Sequence, residues 1–190
     1  MSMGKGCLVA GIVLLVLVLL VGGSLMGMYN GMVAKDEECN KAWANVESVL
    51  QRRFDLIPNL VNTVKGYAAH EKGTLEEVTR LRSQWGAAKT QAEKVGVASM
   101  LEGAMGRLMV VMENYPELKA NQNFIALQDE LAGTENRINV ERQRYNGAVQ
   151  GYNTLIRSMP TLFLARLAGF AARAPFEAAQ GAETAPAVEF

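Results

Sequence analysis

From residue 8 to residue 28 the chain reads LVAGIVLLVLVLLVGGSLMGM, apolar or glycine throughout apart from Ser24. A helix of that length rises roughly 30 Å at ~1.5 Å per residue, the thickness of a bilayer's hydrocarbon core. One basic side chain, Lys5, precedes the run, and mixed polar sequence follows Asn30. The pattern predicts a membrane anchor over residues 1–30 with a soluble module behind it. The competing reading is a secretory signal peptide, whose apolar region is typically ~7–15 residues and ends in a small-x-small site. Val21-Gly22-Gly23 has that form, yet the apolar run continues to Met28, which favours an uncleaved anchor. An acylated lipoprotein cysteine would follow the run, and Cys7 precedes it.

Behind the anchor the apolar positions keep helical time. Proline occurs only at Pro58 and Pro116 before residue 160, and alternating β-branched runs are absent. Cys39, Trp43, Val46, Leu50 and Ile57 mark one face of a first helix. A break is expected at Pro58, with Asp55 capping the restart. Leu60, Val64, Tyr67, Leu75, Val78, Leu81 and Trp85 form a second stripe. Within it, Thr74 and Glu77 have capping-box spacing, which points to a local restart. A third helix is expected to open at Ser99, with Glu102 completing a box, and to carry Leu101, Met105, Leu108 and Met112 towards Pro116. The fourth is the most regular: Phe124, Leu131, Ile138, Tyr145 and Tyr152 recur at sevens, joined by Leu127, Ala148, Leu155 and Ile156. Heptad spacing favours helices crossing at ~20°. The expected class is all-α, a transmembrane helix followed by an up-and-down four-helix bundle of long helices over residues 31–160.

The end of the chain changes character. Residues 161–176 mix Leu, Phe and Ala with Arg166 and Arg173, and read either as an interfacial helix or as a cap on the bundle. In the interfacial reading both arginines meet lipid phosphates. Residues 177–190 are small and polar, and disorder is expected there.

Nineteen basic residues balance nineteen acidic ones with no basic stripe, which argues against nucleic acid as a partner. Cys39 is the only cysteine outside the anchor region, so the module forms no internal disulfide, and either side of a membrane suits it. Lys and Arg are near parity around the anchor. The short basic amino-terminal tail favours an extracytoplasmic module.

Enzyme motifs are missing. His70 is the sole histidine, which excludes His-rich metal clusters, HExxH and Ser-His-Asp triads. No P-loop or Rossmann glycine pattern occurs, and no cofactor is expected. What stands out is polarity on apolar stripes. Arg53 follows Val46 by seven and Glu71 follows Val64 by seven. Thr134 and Glu141 continue the Leu127 series, flanked by Glu135 and Arg142. Arg53, Glu71, Glu135 and Arg142 are thus a candidate interhelical cluster, either a structural network that fixes register or a binding cleft. In the anchor, Gly23, Gly27 and Gly31 repeat at fours, the spacing that lets helix backbones approach in lipid.

At Arg52 to Glu71, RRFDLIPNLVNTVKGYAAHE, the chain resembles the LemA family of bacterial membrane proteins. The likeness continues through ENYPELKAN at Glu113 to Asn121 and FIALQDEL at Phe124 to Leu131. It extends to TENRI at Thr134 to Ile138, Tyr145-Asn146 and Tyr152-Asn153, with Trp43 and Tyr29-Asn30 also fitting. The resemblance implies a single-pass protein of the bacterial inner membrane with a helical module, and brings no catalytic residues. Family likeness also implies two settings, magnetosome membrane formation and association with HtpX-type membrane metalloproteases. Two functional classes follow: a non-enzymatic envelope scaffold or adaptor, or a bundle that binds a ligand or lipid in its polar cleft. A deep cleft at the four polar residues would favour the second class, and mutual pairing in a dry core the first.

Overall fold

The computed structural model describes residues 3–68 and 71–176. The expected disorder of residues 177–190 lies outside the described residues, as does His70. The described chain is all-α: α1 (Met3–Lys65), α2 (Lys72–Ala87), α3 (Gln91–Met112), α4 (Pro116–Lys119), α5 (Gln122–Arg157) and α6 (Thr161–Ala168). It divides into two units, Met1–Ala42 with Tyr145–Pro175 and Trp43–Arg144 with Phe176–Phe190.

In the first unit α1 carries the apolar run, with Leu8, Leu14, Leu19 and Leu20 all exposed. No break in the helix marks residue 30, and burial begins on the same helix at Met32 and Cys39. The end of α5 supplies Tyr145, Val149, Tyr152 and Ile156 to this core, and α6 adds Thr161 and Ala165. Gly169 ends α6 at φ 80°, in the left-handed region where a Cβ is costly. A strap without regular secondary structure follows it, to residue 176.

The second unit holds the rest of α1, then α2, α3 and α4, and the first part of α5. The expected break at Pro58 is not there, because α1 runs through it to Lys65. A proline inside a helix costs about 3 kcal/mol and one hydrogen bond. Here Leu50, Phe54, Ile57, Leu60, Val61 and Val64 are buried on both sides of it, and that shared burial holds the helix together. Asp55 is therefore no cap; its carboxylate accepts from Gln51 Nε2 at 2.9 Å along the helix surface.

The restart is also displaced. α2 begins at Lys72, so Thr74 and Glu77 lie inside the helix, and Glu71 at the cap makes no side-chain capping bond. α3 opens at Gln91, earlier than expected, behind a complete box: Glu93 N–H donates to Thr90 Oγ1 at 3.2 Å, and Thr90 N–H to Glu93 Oε2 at 3.1 Å. Ser99 and Glu102 have the same spacing but sit within the helix. Backbone bonds at Thr90 and Lys89 hold the Glu93 carboxyl below its usual range. α5 starts where Asn121 Oδ1 accepts from the backbone of Asn123 and Phe124, at 2.9 and 3.1 Å. Its heptad residues Phe124, Leu131 and Ile138 are buried in this unit.

Candidate functional site

The second unit contains all six polar residues singled out on or beside the apolar stripes. Arg53, on the buried face of α1, bonds through Nη1 to Glu135 on α5. Its Nε is buried without a hydrogen-bond partner. Arg142, one residue beyond Glu141, reaches Glu102 of α3 only at 3.5 Å. Its guanidinium instead lies over the Phe176 ring at 4.3 Å, a cation–π geometry. Arg142 Nε and Glu141 Oε2 are likewise buried and unpartnered, while Glu141 Oε1 accepts from Arg144 at 2.6 Å. Thr134 is buried, and its hydroxyl donates to the Leu131 carbonyl at 2.7 Å, so its place on the stripe is self-satisfied.

Glu71 goes elsewhere, accepting a long 3.4 Å bond from Tyr115 Oη. Of the four residues Arg53, Glu71, Glu135 and Arg142, the structure thus joins Arg53 to Glu135 and gives the other two separate partners. Spacing by seven fixes the face a residue occupies but not which neighbouring helix that face meets. Beside Arg53, Phe54 stacks on Trp85 with centroids 4.6 Å apart, and Trp85 Nε1 donates to Gln51 Oε1 at 2.7 Å. Lys94 pairs with Glu47 and lies 5.5 Å from the Trp85 ring.

The first unit contains a polar assembly that the stripe argument missed. Arg173, on the strap after α6, donates from Nε to Asp36 at 2.8 Å and from Nη2 to Asn40 at 2.7 Å, both on α1. Asn153 of α5 binds the strap backbone in both directions, accepting from Arg173 N–H at 2.9 Å and donating to Arg173 C=O at 2.8 Å. Two tyrosines complete the hold: Tyr152 Oη donates to Ala171 C=O at 3.0 Å and Tyr145 Oη to Ala174 C=O at 3.1 Å. Burial opposes the Arg173 charge, but the Asp36 bond and charge outweigh it and leave its pKa raised. Burial, reinforced by the Asp36 charge, pushes the Tyr152 hydroxyl up. Burial likewise raises the Cys39 thiol. The legible signal was the pair Tyr145-Asn146 and Tyr152-Asn153, seven apart on α5, each placing a polar tip on a buried stripe.

This corrects the interfacial reading of the tail for its second half. Arg173 is committed to Asp36 and Asn40, and Phe176 is buried. The physical reason is that this segment finds its partners within the protein, its backbone on Asn153 and both tyrosines and its Arg173 side chain on Asp36 and Asn40.

The anchor glycines stand open: a Cβ at Gly23, Gly27 or Gly31 would meet nothing within 4 Å. In the second unit a cavity of about 710 Å³ is lined by Lys65, Lys72, Leu75, Glu76, Thr79 and Arg80, among others. Among the described residues, no group of three or more His, Cys, Asp or Glu side chains could hold a metal ion. Among the described residues, two helices, α1 and α3, are long and apolar enough to cross a membrane. In α3 seven side chains are buried, from Val97 to Met112, whereas the apolar window of α1 is 0% buried.

Helices without strands among the described residues and an open apolar run on the longest define an all-α protein with a candidate membrane span. The LemA family profile matches residues 42–190, and the chain belongs to that family. It is 29% identical over 173 residues to the magnetosome protein MamQ 2 of Paramagnetospirillum magneticum, covering 77% of this chain and 64% of that protein. The MamQ of Magnetospirillum gryphiswaldense is 28% identical over the same shares. The LemA protein of Metamycoplasma hominis is 24% identical over 69% of this chain and 60% of its own length. The chain thus spans somewhat less than two thirds of each of these relatives.

Proposed function

We propose that the protein is a membrane-anchored, non-enzymatic scaffold or adaptor of the bacterial envelope. Residues 8–28 would cross the inner membrane once, and the helical module, an up-and-down bundle in this reading, would stand on the extracytoplasmic side. The supporting observation is that α1 passes from exposed apolar residues such as Leu19 and Leu20 to the buried Met32 and Cys39 without leaving the helix. An anchor joined this way carries its module directly on the bilayer, as a scaffold requires. The partner in this reading is an envelope protein, with a membrane metalloprotease as the family-based candidate. The likeness to proteins named for the magnetosome accords with a role in organising membranes. Self-association through Gly23, Gly27 and Gly31 would add a second level of assembly.

The alternative is a ligand- or lipid-binding bundle with a polar interhelical cleft. Arg53 is paired with Glu135, even with its Nε left over, and that pairing favours the scaffold. The cavity beside Lys65, Lys72 and Arg80 is the feature on which the alternative rests.

Photo-crosslinking residues placed in turn at the exposed Val110, Ile125 and Val140 test the scaffold in intact cells. Reproducible adducts with one envelope protein are expected. Adducts with lipid alone, or none at all three positions, would overturn it. Protease digestion of spheroplasts tests the side of the membrane, with the module expected to be cut from outside.

A further inference from the structure

We propose that α6, Thr161–Ala168, is a membrane-surface helix whose open apolar face enters the headgroup region beside the anchor. The proposal rests on the anchoring role of residues 8–28 and adds a second lipid contact to it. α6 packs Thr161 and Ala165 inward. Phe163 and Leu167, one turn apart, are 68% and 86% exposed, and Met159 just before the helix is 66% exposed. Apolar side chains so exposed at consecutive turns call for a covering.

Its position says what covers it. Phe170 lies two residues beyond α6 and meets Tyr29 edge-on with centroids 5.7 Å apart. Tyr29 is the first residue after the apolar run, the level at which aromatic rings collect at a bilayer boundary. The turn at Gly169 ties that contact to the helix, since Phe170 N–H donates to Ala165 C=O at 3.0 Å. An eight-residue helix is only about 12 Å long. All of α6 is therefore held near the level where the hydrocarbon ends and the headgroups begin.

Charge supports the same occupant. Arg157 at the end of α5 and Arg166 in the last turn of α6 are exposed and carry no ion pair among the described residues. They are free for lipid phosphates, with their stems lying along the apolar surface. Arg173, by contrast, is spent on Asp36. The two halves of the tail thus separate: residues 161–168 face lipid, and the strap beyond Gly169 holds protein.

The test uses the full chain with Cys7→Ser, reconstituted in vesicles of equal parts phosphatidylcholine and phosphatidylglycerol. Spin labels are placed by Leu167→Cys, Met159→Cys, Leu17→Cys and Val140→Cys, one at a time. Collision with oxygen and with a water-soluble nickel chelate reads the depth of each. The Leu17 label is expected deep in the hydrocarbon and the Val140 label in water. Labels at Leu167 and Met159 should sit at shallow lipid depth, with an oxygen-to-nickel ratio several-fold above that at Val140. If Leu17 reads deep while Leu167 and Met159 match Val140, the surface helix is overturned and the anchor stands. Labels at Leu167 and Met159 shielded from both reagents would also overturn it, showing that protein covers the face. A Leu17 label in water would bring down the anchoring role and this proposal together.

Discussion

Two arginines, the half-buried Arg173 in the first unit and the buried Arg53 in the second, are treated in opposite ways. Arg173 has its Nε and Nη2 bonded to Asp36 and Asn40, and its own backbone is clasped by Asn153. Arg53 has one carboxylate, Glu135, and a buried Nε with no partner. Arg142 repeats the second pattern, with a 3.5 Å contact to Glu102 and another orphaned Nε. A satisfied network fastens a strap and adds to stability. A half-satisfied pair in a core gives up part of its Coulombic gain to desolvation. The first assembly is thus a fastener of several bonds, and the second a single pin between α1 and α5.

The contrast breaks most visibly at the pin. Glu135→Leu leaves the Arg53 guanidinium, 9% exposed, without its carboxylate. Glu135 itself is 29% exposed, so the loss should be about 2–3 kcal/mol, below the ~3–5 of a fully buried pair. Adding Arg53→Met should restore most of it, because an apolar pair of similar volume is close to neutral. Urea midpoints of the three proteins in detergent read this. A double variant as unstable as the single one would show that the pair stabilises in its own right.

At the fastener the expected loss is somewhat smaller and local. Asn153→Ala strips partners from the Arg173 N–H and C=O, costing about 2 kcal/mol. Cys39, buried in the same unit, reports the opening. In a Cys7→Ser background its alkylation should speed up ~20–30-fold, since 1.4 kcal/mol is tenfold. An unchanged rate would mean that the strap does not hold the unit shut. The raised thiol pKa gives a pH sign as well. Its contribution is whole below about pH 8.5, where the unfolded thiol is neutral, and is lost as pH rises towards the higher folded value.

Smaller still is the α3 cap, which belongs to neither assembly. Thr90→Ala should cost about 1 kcal/mol by thermal melt. The lowered Glu93 pKa means that its share is present above about pH 4.3 and fades as pH falls through the folded value. Glu93→Gln should flatten that acid limb of the stability curve, and an identical limb would assign it to other carboxylates. The least effect on folding is expected from Gly23→Leu with Gly27→Leu, where a Cβ meets only open space. Melting should not change, while crosslinked dimers in membranes should fall. Dimers at full yield would remove these glycines from the contact.

Much of the fold was readable because helices announce themselves locally. The heptad from Phe124 to Tyr152 needs only the 3.6-residue turn and a buried side, and all five of its apolar residues are buried. Helix ends were read less well. Thr74–Glu77 and Ser99–Glu102 have the spacing of a capping box, as Thr90–Glu93 does, and only Thr90–Glu93 caps. Spacing is necessary for that bond, but the threonine or serine must also sit in extended backbone, as Thr90 does at φ −103° and ψ 154°. Pro58 misled for a related reason: local propensity argued for a break, and burial on either side overrode it.

What the sequence alone determined was the helical class, the apolar run over residues 8–28, the family and most of the buried faces, from which Tyr67 departs by standing exposed. Each depends on composition or on contacts within a few residues, and such contacts are written in order along the chain. Tertiary structure alone decided that Arg53 takes Glu135 while Arg142 takes Glu102 and Phe176, and that Glu71 turns to Tyr115. It also decided that Arg173 closes on Asp36 across 137 positions of sequence while Phe163 and Leu167 stay open. A periodic stripe states that a residue faces inward. Which helix lies opposite, at what height and with what partner atom, is set by how the helices pack, and no local pattern carries that information.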